Sequence, residues 1–251
     1  MKAKRLTQLR EAIAAIEHGC GAGGDRHGSF APSGDGMPLP PGVHEWFGLG
    51  DTSCMPRWIP PLGILLYLAR RSLRAAGDGR AGVVWIGRRC WPFLQGLSPD
   101  DRRVLLRQSI FIDPPDDMSR LWAIDLAARC PAVAAVVADG SRLDMAATRR
   151  LQLAAESGSA LVLCARPPGE IDHLSAATTR WRVRCASSAD KIPRWNVQLL
   201  RCKGMRPLGQ WTVEWRSAQA QTQGGVVVHA ALADRPDPAG PTGGALVRRS
   251  A

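Results

Sequence analysis

Two kinds of apolar pattern alternate along the chain from Met37 onward. Short runs dense in valine, isoleucine and tryptophan read as strands: Val43–Phe47, Gly82–Ile86, a run within Val104–Ile112 that stops at Asp113-Pro114-Pro115, Val133–Ala138 and Ala160–Cys164. Val133–Ala138 has no polar interruption, as a strand buried on both faces should. Between them lie segments with helical periodicity and helical punctuation. Leu62–Ala76 is opened by Pro60-Pro61 and stopped by Gly77-Asp78-Gly79. Met118–Arg129 takes Asp116 or Asp117 as its N-cap. Met145–Glu156 takes Asp144, with Gly158 just past its end. This alternation predicts an α/β fold: a mainly parallel sheet with helices on both faces.

The two ends of the chain follow other patterns. Leu6, Leu9, Ile13 and Ile16 form one apolar stripe on a predicted helix over residues 4–18. Residues 19–36 are glycine-rich and read as a flexible linker. After Pro167-Pro168-Gly169 the chain turns β-rich, with strands over Arg180–Cys185, Trp195–Cys202 and Trp211–Trp215 and a turn bracketed by Gly204 and Gly209. These strands predict an antiparallel C-terminal extension of the sheet. The expected organisation is a helix and linker over 1–36, a core over 37–186, the extension over 187–232 and a disordered tail over 233–251.

Composition narrows the class. A chain of 251 residues supports one sizeable core. No apolar run reaches membrane-spanning length, and the basic start Met1-Lys2-Ala3-Lys4-Arg5 is not followed by an apolar stretch, so a cytoplasmic protein is expected. The seven cysteines are scattered with no C-x-x-C pair, which suits reduced thiols. His18, Cys20 and His27 lie close in sequence, but at no standard zinc spacing, and no metal is expected. The net charge is +11, and residues 166–216 hold ten Lys/Arg against four Asp/Glu. Such a surplus suits a phosphate backbone or an acidic partner. It is equally a matter of arginine usage, since the chain has 29 arginines and four lysines.

A nucleotide-binding α/β domain places a glycine-rich loop after its first strand. Here that place reads Gly48-Leu49-Gly50-Asp51-Thr52-Ser53. Gly48 and Gly50 are a remnant of such a loop at most. A P-loop needs a lysine for the β- and γ-phosphates, and no lysine occurs between Lys4 and Lys191. Asp51 would also place negative charge where phosphate should sit. Asp139, at the end of the Val133–Ala138 run, stands where a Walker B aspartate would hold magnesium, and without phosphates it reads as a strand-end residue. No cofactor and no catalytic residue is expected. His44 and Glu45 are adjacent on a strand, so their side chains point to opposite faces and cannot act as an acid–base pair.

Several segments, in order from about Leu39 to Trp215, resemble the ImuA family, RecA/SulA-like accessory proteins of bacterial error-prone translesion synthesis. They are Leu39–Glu45, Val83–Ile86, Leu121–Ile124, Leu143–Glu156, Ser175–Val183, Trp195–Gly204 and Trp211–Trp215. The resemblance implies a RecA-like P-loop NTPase fold, acting without catalysis as an adaptor in SOS-induced mutagenesis. It implies a complex with an ImuB-like inactive Y-family polymerase relative and a DnaE-type error-prone polymerase. The stripe of Leu6, Leu9, Ile13 and Ile16 is then the candidate contact for a partner or for self-association. Against RecA itself, the lysine is missing, Gly87-Arg88-Arg89 replaces the catalytic glutamate after the second strand, and the DNA-loop region is short. Other readings are a SulA-like inhibitor of cell division that binds FtsZ, a single-stranded DNA-binding protein, and a degenerate ATPase.

Nucleic-acid contact has its own candidates. Arg149 and Arg150 sit on the Met145–Glu156 helix, where they contact a partner or DNA, form solvated surface or pair with Glu156. Arg180-Trp181-Arg182 and Arg194-Trp195 put cations beside aromatic faces, a combination used to stack single-stranded bases. The competing reading, which strand alternation favours, places Trp181, Trp195, Trp211 and Trp215 in the core beneath the antiparallel strands.

Overall fold

A computed structural model describes residues 39–49, 58–77, 82–94, 97–186, 192–204, 209–216 and 225–232. Contacts divide the chain into Met1–Phe30 and Ala31–Ala251, and every described residue belongs to the second unit. The predicted N-terminal helix with Leu6, Leu9, Ile13 and Ile16, the linker and the tail lie outside the described residues.

The described chain forms one nine-stranded sheet in the order β3-β2-β4-β5-β1-β6-β7-β8-β9. Its strands are β1 (Gly42–Phe47), β2 (Gly82–Ile86), β3 (Ser109–Ile112), β4 (Val133–Asp139), β5 (Leu161–Arg166), β6 (Thr179–Ala186), β7 (Arg194–Cys202), β8 (Gln210–Arg216) and β9 (Gly225–Leu232). Pairing is parallel from β3 through β6 and antiparallel from β6 to β9. The mainly parallel sheet and its antiparallel extension are thus present, and β9 adds a strand beyond those expected.

Helices α1 (Leu62–Ala75), α2 (Pro99–Arg107), α3 (Asp117–Arg129) and α4 (Met145–Gly158) connect the parallel part. Helices α3 and α4 pack on each other and on one face of the sheet. There Ile124, Ala128, Leu151 and Ala155 join Val43, Val84, Ile86, Val136 and Val162 in one buried cluster. By alternation Trp46, Trp85, Val137 and Leu163 face the other side, which α1 covers. Asp116 caps α3 by accepting from the Ser119 amide (2.7 Å), and Asp144 caps α4 by accepting from the Ala147 amide (2.7 Å).

Two expectations need correction. Gly158 does not follow α4; it ends it, and Ser159 takes the left-handed cap at φ 54. The glycine is needed for approach: a Cβ there would lie 2.1 Å from the Ala128 carbonyl oxygen of α3. The Val104–Ile112 run is also two elements, the end of α2 and then β3. Helix α2 buries only Leu105, so it carries no apolar stripe. Its start is nonetheless written in Ser98-Pro99-Asp100-Asp101, where the Ser98 hydroxyl accepts from the Asp101 amide (3.1 Å).

The prediction that His44 and Glu45 face opposite ways agrees with the structure. On the α1 side, Trp181 Nε1 donates to Thr179 Oγ1 (2.6 Å), Thr179 Oγ1 lies 2.7 Å from His44 Nδ1, and His44 Nε2 lies 2.8 Å from the Pro40 carbonyl. With the imidazole neutral, the Thr179 hydroxyl donates to Nδ1 and Nε2–H donates to the Pro40 carbonyl. Burial pulls the His44 pKa from 6.5 down to about 4, against the opposing effect of the Pro40 carbonyl. The unfolded chain therefore takes up this proton first. Stability is expected to fall as pH drops from about 6.5 to about 4, by roughly 3 kcal/mol in all. Urea titrations across that window measure it, and a His44→Gln variant with the same pH slope would contradict it.

Candidate functional site

In open α/β sheets, ligands bind beyond the carboxyl ends of the strands where the chain's direction of travel reverses. Here that place lies beyond β1, which is flanked by β5 and β6 while its connection leads across to β2. Gly50 and Asp51 are outside the described residues, but both flanks of their loop are described. Leu49 and Ile59 exchange main-chain hydrogen bonds (2.7 and 2.9 Å), closing the loop on itself. A Cβ on Gly48 would lie 2.5 Å from the Ile59 carbonyl oxygen and 2.6 Å from the Trp58 ring. Gly48 is therefore the room into which the returning Trp58-Ile59 segment packs. Gly48→Ala is expected to destabilise the protein by about 1–3 kcal/mol through this overpacking, as a lower denaturant midpoint would record.

Three side chains meet beyond these strand ends. The Arg89 guanidinium lies 5.0 Å from the Trp58 ring centroid, and its Nη1 donates to the Trp58 carbonyl (3.1 Å). Its Nε lies 3.7 Å from Asp139 Oδ2. Asp139 Oδ1 accepts from the Ser141 amide (3.0 Å) and from the Ser141 hydroxyl. Both carboxylate oxygens are thus engaged, one by an arginine and one by its own loop. Arg89 thus links Trp58 to Asp139 beyond the ends of β1, β2 and β4. Sequence reasoning singled out Gly48 and Asp139 but missed Trp58, and it read Arg89 only as a lost glutamate.

A second constellation lies under the same end of the sheet. Glu45 is fully buried on β1. Its Oε1 accepts from Arg166 Nη1 (2.6 Å) on β5 and from the Ser175 hydroxyl (2.8 Å), and its Oε2 accepts from Arg180 Nε (2.7 Å) on β6. Arg166 also donates to the Leu143 carbonyl (2.8 Å) and from Nε to Glu170 Oε2 (3.0 Å). Burial alone would lower the Arg166 pKa, but Glu45 and Glu170 outweigh it and hold the guanidinium above its ordinary value. One carboxylate thereby fastens three neighbouring strands and the 170–175 segment. With every oxygen of Glu45 accepting from protein, the group is built for cohesion and not for proton transfer.

The nucleic-acid candidates separate in the structure. Trp181 is 0% exposed, stacked on Trp46 at 5.1 Å between centroids, so its face is closed to a base. Arg180 is buried against Glu45, with its guanidinium 4.9 Å from the Phe47 ring centroid. Arg150 donates to Asp125 (3.1 and 3.3 Å), and Arg194 donates to Glu214 (2.9 Å). Arg149 and Arg182 keep access to solvent.

Sequence reasoning also missed an apolar surface. Strand β3 is one edge of the sheet, and its Ile110 and Phe111 are exposed. The next helix in the chain, α3, exposes Met118, Trp122 and Leu126. The signal was available: these three recur every four residues, on a different face of α3 from the buried Ala123, Ile124, Ala127 and Ala128. Trp91 and Phe93, after a short 3-10 turn at Arg88–Cys90, extend the exposed surface, and the Trp91 ring packs edge-on to Phe111 at 5.6 Å. By alternation Phe111 lies on the Trp85 side of the sheet and Ile110 on the other, so large apolar side chains are exposed on both faces of this edge.

No family model matches the chain. Among solved structures, SulA from Pseudomonas aeruginosa is similar over 48% of this chain and 97% of its own, at 23% identity and a TM-score of 0.31. Protein ImuA from two strains of Caulobacter vibrioides is 34% identical over 209 residues, covering 74% of this chain and 79% of the relative. On that identity and coverage, the chain belongs to the ImuA family.

Proposed function

We propose that this chain is a non-catalytic RecA-like scaffold that binds proteins during SOS-induced, error-prone translesion synthesis. The observation that carries the reading is the pairing of a filled crevice with an open apolar surface. Trp58 and Arg89 occupy the ground where nucleotide would lie, and Asp139 is already committed to Arg89 and Ser141. Ile110 and Phe111 are meanwhile exposed on a sheet edge with no neighbour among the described residues, and Trp122 and Leu126 are exposed on α3. Exposed apolar side chains beside unpaired strand hydrogen-bonding groups favour a protein partner. The partners that family membership suggests are an ImuB-like Y-family polymerase relative and a DnaE-type polymerase.

Co-purification with the ImuB-like protein tests the reading. Ile110→Asp combined with Trp122→Asp is expected to reduce capture at least tenfold without altering the melting curve, because both side chains are exposed. Deleting residues 1–36 tests the stripe of Leu6, Leu9, Ile13 and Ile16 separately; undiminished capture would remove it as the contact. ATP turnover by the purified chain, free of contaminating activity, would overturn the non-catalytic assignment.

A further inference from the structure

On the face of β6, β7 and β8 turned away from α1, Arg184 and Arg201 are exposed, Arg182 is half-buried and Arg180 is buried against Glu45. The opposite face is closed: a Cβ on Gly63 of α1 would lie 3.0 Å from the Trp195 ring, and Trp181, Val183, Val197, Trp211 and Val213 are buried there. The open face therefore carries the alternate residues. On β6 these are Arg180, Arg182 and Arg184. The register sets Arg201 opposite Arg180, Gln198 opposite Arg182 and Asn196 opposite Arg184. Gln210 and Thr212 of β8 continue the Gln198 and Asn196 rows. Side-chain contacts confirm that one face holds them: Arg182 Nη1 donates to Gln198 Oε1 (3.5 Å), and Thr212 Oγ1 donates to Asn196 Oδ1 (3.1 Å).

The charges on this face are unbalanced. Arg180 is neutralised by Glu45, and Arg194 by Glu214. Among the described residues, Arg182, Arg184 and Arg201 meet no carboxylate; Arg201 donates only to the Ser175 carbonyl (2.6 Å). A solvated sheet face needs polar side chains, but it does not need three unpaired cations. The register offers positions opposite Arg182 and Arg184 where a glutamate would pair at no structural cost, and neutral Gln198 and Asn196 stand there instead. Such a row of guanidiniums with amides beside it matches an anionic polymer whose charges repeat. Successive arginines on β6 are about 7 Å apart along the strand, a repeat like that of phosphates on an extended backbone.

We propose that the open face of β6–β8 binds the phosphate backbone of nucleic acid through Arg182, Arg184 and Arg201, with Asn196, Gln198 and Thr212 hydrogen-bonding alongside. The tryptophans of these strands lie on the other face, so bases are not stacked and base identity carries no weight. This surface is separate from the β3 edge, and it stands or falls independently of the partner reading above.

Fluorescence anisotropy of the full chain with labelled oligo-dT and oligo-dA of roughly 30 nucleotides, and with a duplex of that length, tests the assignment. The wild-type chain is expected to bind at low salt, with dT and dA about equal. The Arg182→Ala/Arg184→Ala/Arg201→Ala variant is expected to bind at least tenfold more weakly, and its salt slope on single strands should flatten by about two. Arg184→Glu alone, at an exposed position with no carboxylate partner, should weaken binding several-fold in a chain that melts like wild type. No binding by wild type, unchanged binding in both variants, or equal binding of polyglutamate would each overturn the proposal.

Discussion

Glu45→Ala is expected to destabilise the protein by about 3–5 kcal/mol, the cost of breaking a buried ion pair from one side. The removed carboxylate serves Arg166 at 2.6 Å, Ser175 at 2.8 Å and Arg180 at 2.7 Å. Arg166 would keep Glu170 and the Leu143 carbonyl as partners, but Arg180 would be left buried with no carboxylate. Arg180 Nη2 already has no acceptor among the described residues, so the loss falls on a group with little in reserve. Glu45→Gln should cost less, because the amide oxygen still accepts from one donor. Guanidinium-chloride titrations of the three proteins measure this. A Glu45→Ala change within about 1 kcal/mol of wild type would show that the network contributes little.

Trp181→Ala is expected to cost a similar amount, about 3–5 kcal/mol, from lost burial and a residual cavity. Its ring is fully buried, stacked on Trp46 at an interplanar angle of 5° and tilted against Trp211 at 6.0 Å. Its Nε1 also donates to Thr179, which holds the His44 ring. Trp181→Phe should recover most of the packing while leaving the Thr179 hydroxyl without that donor. The ranking carries a functional consequence: folded Trp181→Phe should bind oligonucleotide as wild type does. A selective loss of binding in that variant would mean that the ring reaches a base, which its burial forbids. Thermal melts read beside anisotropy separate the two outcomes.

The strands legible in sequence were those that bury both faces. Val133–Asp139 and Leu161–Arg166 are runs with little polar interruption, because helices cover the sheet above and below. Elements that touch the core lightly were hidden. Helix α2 buries only Leu105, so it was visible only through its Ser98 cap. The site was harder, since its meaning lies in pairings that local pattern does not encode. Arg89 lies 31 residues beyond Trp58, and Glu45 meets Arg166 and Arg180 across 121 and 135 residues. The absence of a P-loop lysine could be read from sequence; the meeting of Trp58, Arg89 and Asp139 could not. The alternation argument did foresee the burial of Trp181 and Trp211, as well as the divergence of His44 from Glu45.

The central place of β1 sets a constraint on the order in which the chain can fold. Its neighbours on the two sides are β5 and β6, which begin at Leu161 and Thr179. The C-terminal hairpins close locally, whereas β1 must wait for partners more than a hundred residues away, a costly and slow closure. During synthesis, Val43, Trp46 and Phe47 are made early and remain uncovered until Arg180 has left the ribosome, and Glu45 stays hydrated over the same interval. A chain truncated before β6 would hold β1 as an edge strand of apolar residues, with Glu45 lacking Arg180. Such a fragment should aggregate or be degraded, so that only chains synthesised past β6 are left to act.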